Sequence, residues 1–352
     1  MKSPTTKSAI QLLQNLIQTS SFSGEEQETA SLIENWLQEK GIEIQREHNN
    51  IWAFNKCFDS GKPSILLNSH HDTVRPNSGY TRNPHEAKIE DGKLFGLGSN
   101  DAGGCLVSLL STFAYFYDKE NLKYNLVIVA SAEEENSGPN SLRSVLDKLP
   151  NFEFGIVGEP TEMNLAIAEK GLLVLDGYAK GIAGHAAHEN TQNAIYQALE
   201  DVDWIRNYEF EKVSEMLGKV KMSVTQIEAG KQHNLVPASC HFVVDVRLNE
   251  HYSNRKIFEF ISSNTKSEIK ARSFNLNSSF ISKSHPIVQA GLGLGKQTYG
   301  SPTLSDQAVL DFPSLKIGPG VSARSHSADE FIEIREIEEG IEIYKQLLKA
   351  IL

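Results

Sequence analysis

Ile65-Leu66-Leu67-Asn68-Ser69-His70-His71-Asp72 is an apolar run that stops abruptly in side chains able to bind a metal, and its reading decides the fold. Two other runs stop the same way. Leu126-Val127-Ile128-Val129 leads into Ala130-Ser131-Ala132-Glu133-Glu134-Glu135, and Gly155-Ile156-Val157 into Gly158-Glu159-Pro160-Thr161. Short β-branched runs of this kind suit strands buried on both faces. Residues 102–117, apolar and of helical length behind a Gly-rich turn, lie between the first two, so the pattern predicts a parallel sheet. Open parallel sheets bind ligands outside the carboxyl ends of their strands, where His70, Asp101, Glu135, Glu159 and His326 fall.

The flanking sequence extends this core. Ile10, Leu12, Leu13, Leu16 and Ile17 make an apolar helical stripe, Ser23 with Glu26 reads as a capping box before Leu32, Ile33 and Trp36, and Gly41 closes that second helix. From Leu172 the texture changes. Strands are expected over 172–178, 220–227 and 240–248, with helices over 190–206 and 253–263, which describes an α+β insert. After about Phe280 the first pattern resumes, with Leu315-Lys316-Ile317 ending at Gly318 and a last helix over 334–352. The expected fold class is therefore α/β, a mainly parallel sheet with helices on both faces interrupted by an α+β domain. The segments are 1–171, 172–280 and 281–352.

Composition excludes several function classes. The chain has 352 residues with 34 basic against 45 acidic side chains, a net charge of −11 that offers no footprint for nucleic acid. No apolar segment approaches bilayer-spanning length and the N-terminus lacks a signal-peptide core, so no membrane partner is expected and a cytoplasmic location is. Cys57, Cys105 and Cys240 form no C-x-x-C pair and read as small buried apolar residues. His71, His85, His188, His233 and His241 read as structural or surface groups.

Histidine nitrogen and carboxylate oxygen are suitable zinc donors, and two divalent metals sharing a carboxylate can activate a water and polarise a carbonyl. Asp101, in Gly96-Leu97-Gly98-Ser99-Asn100-Asp101-Ala102-Gly103-Gly104, is held on a turn that glycines permit, from which one carboxylate could serve two metals. The turn lacks the Lys-Ser/Thr ending of a phosphate-binding loop.

Together, His70-x-Asp72, the turn ending in Asp101, Glu133-Glu134-Glu135, Gly158-Glu159-Pro160-Thr161 and Ser325-His326-Ser327-Ala328-Asp329-Glu330 resemble the acetylornithine deacetylase, succinyl-diaminopimelate desuccinylase and glutamate carboxypeptidase family, in order along essentially the whole chain. The resemblance implies a two-zinc hydrolase in which cobalt can substitute. Asp101 would be the bridge and be followed by a cis peptide. His70 and Glu159 would hold one zinc, Glu135 and His326 the other, Glu134 would be the general base, and Asp72 would orient His70 through its second nitrogen. Three consecutive glutamates also permit a shift of one residue. Alternation along an extended segment would put Glu133 and Glu135 on one side and Glu134 on the other.

The resemblance further makes the insert a lid and dimerisation domain. His185 in Gly181-Ile182-Ala183-Gly184-His185-Ala186 would help hold the developing oxyanion in the neighbouring subunit of a homodimer. Asn234 and Arg247 match lid positions associated with substrate binding, and Arg324 is a second candidate anion contact. The implied activity is hydrolysis of an N-acyl amino acid, most similar to deacetylation of N-acetyl-L-ornithine in arginine biosynthesis. The alternatives are N-acetyl- or N-succinyl-citrulline, succinyl-diaminopimelate or a dipeptide as substrate. From another class, a non-catalytic amino-acid-binding protein would be favoured by loss of the base or a ligand, and Glu134 and all five ligand candidates are present.

Overall fold

The computed structural model describes residues 4–189 and 191–352. It divides into two compact units: residues 1–167, 280–299 and 305–352 form the first, and residues 168–279 with 300–304 the second. The short return of 300–304 to the second unit has no counterpart in the three-segment expectation. Among the described residues no helix is long and apolar enough to cross a membrane.

The first unit is built on one mixed sheet. Four parallel strands lie at its centre in the order Asn125–Ser131, Ser64–His70, Phe152–Val157 and Ser314–Lys316. Antiparallel strands flank them, Asn50–Phe54 beside Asn125–Ser131 and Leu165–Glu169 beside Ser314–Lys316. Every residue of the Ser64–His70 and Asn125–Ser131 strands is buried, which explains why they read as continuous apolar runs rather than alternating ones.

The helix Gly104–Phe116, buried on nearly all sides, packs against the Ser64–His70 strand and the helices Pro4–Gln18 and Ile334–Lys349. The stripe of Ile10, Leu12, Leu13, Leu16 and Ile17 is buried as expected. A second apolar cluster joins Leu66, Val127, Val129 and Val157 to Leu142, Val145 and Leu310. Leu142 and its neighbours sit in one-turn 3-10 helices rather than longer ones.

The capping-box expectation fails. The second helix is Gln27–Gln38, begins after Glu26, and has no side-chain cap. The Ser23 hydroxyl instead donates to Asp72 at 2.7 Å, while Glu26 accepts from the backbone N–H groups of Gly24 and Glu133 at 2.7 and 3.1 Å. Distant partners, the Asp72 carboxylate for Ser23 and the Glu133 N–H for Glu26, took the two polar groups that a local motif would have paired. Cys57 is exposed, contrary to the buried reading, whereas Cys105 and Cys240 are buried.

The second unit is a four-stranded antiparallel sheet in the order Lys221–Ala229, Ser239–Leu248, Gly171–Lys180, Glu268–Ala271. Alternate residues of the central strands, including Leu173, Leu175, Phe242 and Val244, are buried with Ala198, Ile205, Ile257 and Ile261 in one cluster. The last four belong to the helices Ala194–Asn207 and Asn254–Asn264, so both helices cover one face. Asn190, the expected start of the first of these helices, lies outside the described residues. The helix is capped by Asn193, whose side chain accepts from the Ile195 N–H at 2.9 Å.

Candidate active site

All the metal-binding candidates lie in the first unit, and three of them stand at or just past the carboxyl ends of its parallel strands. His70 is the last residue of its strand, Glu133 to Glu135 follow Ser131, and Glu159 follows Val157 by two residues. Asp101 lies on the turn before the Gly104–Phe116 helix, and its peptide bond to Ala102 is cis. At Gly98 the backbone is left-handed, with φ of 74°, and a Cβ would stand 2.5 Å from the Thr73 methyl carbon, so only glycine fits this turn.

Two clusters share the Asp101 carboxylate. His70 Nε2 is 3.3 Å from Asp101 Oδ1 and 3.7 Å from Glu159 Oε1. His326 Nε2 is 3.6 Å from Asp101 Oδ2 and 3.0 Å from Glu135 Oε2. Within each trio, His70-Asp101-Glu159 and Asp101-Glu135-His326, candidate donor atoms lie within 4.8 Å of one another.

The three glutamates after Ser131 are handled differently. Beyond Ser131 the chain leaves the strand as a turn, and Glu133 has a left-handed backbone with φ of 52°. Alternation along an extended segment therefore does not apply here. The Glu133 carboxylate accepts from the backbone and side-chain nitrogens of Asn140, both at 2.9 Å, while that of Glu135 meets His326. The Glu134 carboxylate has no hydrogen bond among the described residues and lies within electrostatic reach of His70 and Glu159.

Buried acids brace this arrangement. His70 Nδ1 is 3.0 Å from the Asp72 carbonyl oxygen and 3.3 Å from Asp72 Oδ1, so backbone and carboxylate share the orienting contact. Asp72 also accepts from the backbone N–H groups of Glu134 and Glu135, each at 3.1 Å, which fixes the acid-bearing turn. Glu330 accepts from the N–H groups of Gly98, Asn100 and Asp101 at 3.1, 2.8 and 2.9 Å and so holds the Asp101 turn. Asp306 accepts from Ser131 Oγ at 2.5 Å. The sequence reading gave no role to Glu330 or Asp306. Glu330 stood inside the His326 motif, where its acid could have been weighed, but Asp306 follows no apolar run and carries no local signal. His71, next to His70, is structural: Thr29 Oγ1 and the Asn49 carbonyl engage its ring, and burial lowers its pKa to about 4.

The charge balance fits a metal. Burial, reinforced by Asp101 and Glu135, pushes Glu159 up to about 8, although His70 and Lys316 act in the other direction. Burial opposes charge on His70, yet hydrogen bonds to Asp101 and Asp72 and the charges of Glu134 and Glu159 hold its pKa well above the usual imidazole value. The hydrogen bond to Glu135 raises His326 to about 9. The site thus carries an excess of partly buried negative charge that protons or metal cations can offset, and its nitrogen and oxygen donors around a shared carboxylate suit two divalent ions.

The remaining candidates are placed less simply. Arg324 donates to Glu336 at 2.7 Å and its guanidinium stacks 4.4 Å from the Phe331 ring centroid, so its charge already has a protein partner. In the second unit, His185 is exposed on a two-residue ribbon, Gly184–His185 paired with Leu235–Val236. That pairing brings it to Asn234, whose carbonyl accepts from the Ala186 N–H at 3.0 Å. Arg247 lies on a different strand and forms a bidentate pair with Asp245 at 2.8 and 3.0 Å.

Comparison with known proteins gives consistent relatives. The profile of Peptidase family M20/M25/M40 matches residues 66–350. The chain is 27% identical to an acetylornithine deacetylase of Proteus mirabilis over 97% of this chain and 96% of that protein. It is 25% identical to a probable carboxypeptidase of Paracoccidioides lutzii, over 89% of this chain and 75% of that one. Among solved structures it resembles the Bacillus subtilis YXEP protein, a dinuclear metal binding peptidase, with a TM-score of 0.74 at 17% identity and 98% and 97% coverage.

Proposed function

Because the chain belongs to Peptidase family M20/M25/M40 and is thus a metal-dependent amide hydrolase, we propose that it removes the acyl group from the α-nitrogen of a small amino acid, N-acetyl-L-ornithine foremost. One observation carries the chemistry. Glu134 has an unengaged carboxylate beside two ligand clusters joined through Asp101, which is where a proton carrier is needed. The similarity to acetylornithine deacetylase, which spans nearly the full length of both chains, supports the substrate and a role in arginine biosynthesis.

In this reading His70, Asp101 and Glu159 hold one zinc ion, Asp101, Glu135 and His326 the other, and cobalt can substitute. When bound, the two cations supply Lewis acidity toward the amide carbonyl and lower the pKa of water. Glu134 takes a proton from the attacking water and delivers it to the amide nitrogen as the carbon–nitrogen bond breaks, leaving a carboxylic acid anion and a free amine. Asp72 keeps the His70 ring plane and the Glu134 backbone fixed while this happens. His185, contributed by a second copy in a homodimer, donates a hydrogen bond to the developing oxyanion. Asn234 and Arg247 receive the substrate carboxylate, Arg247 exchanging Asp245 for it. The setting proposed for this homodimer is the cytoplasm.

A second reading, cleavage of a peptide at its carboxyl end, is favoured by the similarity to the Paracoccidioides lutzii carboxypeptidase. Zinc-supplied protein should be assayed for metal content and for turnover of N-acetylornithine, N-acetyl- and N-succinyl-citrulline, succinyl-diaminopimelate and dipeptides. Highest kcat/KM on N-acetylornithine is expected. Preference for dipeptides would select the second reading, and full metal loading without turnover of any of these would sink the catalytic proposal.

A further inference from the structure

The Ser64–His70 and Asn125–Ser131 strands are parallel neighbours in which Asn68 pairs with Val129 and His70 with Ser131. Their ladder ends at the His71 N–H, which donates to the Ser131 carbonyl at 3.0 Å, and beyond it the two segments are joined through a side chain, Asp72 accepting from the Glu134 and Glu135 N–H groups. One carries His70 and Asp72, the other Glu134 and Glu135. Backbone pairing therefore stops where positional accuracy begins to matter for metal ligands.

Asp306 stands at that point. It is buried, with 5% exposure, in the short turn Asp306–Val309, and its Oδ2 accepts from Ser131 Oγ at 2.5 Å. The Asn68 amide, in the orientation that satisfies both of its ends, donates to the same oxygen at 3.1 Å and accepts from the Ser69 N–H at 3.2 Å. One buried carboxylate oxygen thus ties a side chain near the end of each strand to the other, two residues before His70 and three before Glu134. We infer that Asp306 is a positioning residue that sets the spacing between the His70 and Glu134-Glu135 segments by clamping Asn68 and Ser131. The inference rests on the assignment of His70 and Glu135 as metal ligands.

The clamp needs an acceptor, not a charge. In Asp306→Asn the side-chain oxygen, placed where Oδ2 stands, can still accept from both Ser131 and Asn68. Asp306→Ala removes both contacts. Metal-stripped wild type, Asp306→Asn, Asp306→Ala and Ser131→Ala should be titrated calorimetrically with zinc chloride, with thermal unfolding recorded in parallel.

Loss of an outer partner of a metal site typically weakens metal binding by about 10- to 100-fold. Asp306→Ala is expected to fall in that range and Ser131→Ala to move the same way, while Asp306→Asn stays within about threefold of wild type. Ser131→Ala also stands in if Asp306→Ala does not fold. Wild-type affinity in the alanine variants, even with a lowered Tm, reduces Asp306 to a strut of the fold and overturns the inference. Equal loss in Asp306→Asn and Asp306→Ala overturns the clamp in favour of a charge effect. A wild-type protein that takes up no zinc removes the ligand assignment itself, a result separable from the other two.

Discussion

Glu134 is distinguished from its neighbours by what its carboxylate does not touch. Asn140 engages the Glu133 carboxylate and His326 that of Glu135, which leaves the middle glutamate as the one whose carboxylate has no such partner among the described residues. Replacing it by glutamine keeps its size and removes the proton transfer, and kcat is expected to fall by about 10²-fold or more. Metal content should stay at the wild-type level. Steady-state kinetics with elemental analysis check both halves, and a variant that loses metal but keeps its rate would exchange the roles of Glu134 and Glu135. At this scale the sequence was legible where a metal-binding residue type and a strand end coincide, as at His70 and Glu159, which the fold brings into one cluster. It was illegible at Asp306, whose importance comes from two side chains more than 170 positions away in the chain. No local pattern encodes such a contact. Arg324 shows the converse: an arginine near a candidate ligand histidine suggests an anion site, but Glu336, in the first turn of the last helix, claims it.

Among elements, the turn before the Gly104–Phe116 helix has little tolerance for added atoms. A Cβ added at Gly103 would lie 2.4 Å from the Gly98 carbonyl oxygen and 2.6 Å from Leu13 Cδ1. The oxygen is backbone and cannot swing aside, so relief must come from moving the turn that carries Asp101. Gly103→Ala is expected to destabilise the protein by about 1–3 kcal/mol, the usual range for overpacking a filled site. Urea unfolding measures this, and a change below a few tenths of that range would mean the turn adapts more freely than its contacts imply. The strands and helices themselves were readable because burial on both faces, or on one stripe, leaves a periodic trace. Helix entry was not: Ser23 and Glu26 have the spacing of a capping box, but Asp72 and the turn at Glu133 offered them better-buried partners.

For the whole molecule, the proposed placement of His185 in a second copy's site makes activity a property of the pair. Inactive His185→Ala chains mixed with inactive Glu134→Gln chains should regain part of the activity, since a hybrid dimer contains one site with both wild-type residues. Removing an oxyanion donor typically costs about 10²- to 10³-fold, so the recovered signal should stand well above either parent. Demonstrated hybrids without recovery, or a monomer by sedimentation, would defeat the shared-site proposal and leave the metal chemistry untouched.

The excursion of 300–304 has a consequence for how this architecture can be recombined. The Lys170 N–H donates to the Ser301 carbonyl at 3.1 Å, and Gly300 lies so close to Met216 that a Cβ would stand 2.4 Å from its carbonyl oxygen. These five residues are a working part of the second unit although the gene places them beyond twenty residues of the first. A chimera that transplants residues 168–279 as one cassette would carry the donor's sheet but leave the recipient's 300–304 seated against it. The second unit is therefore exchangeable only as two co-inherited segments, and the short one is the piece that a contiguous graft would miss.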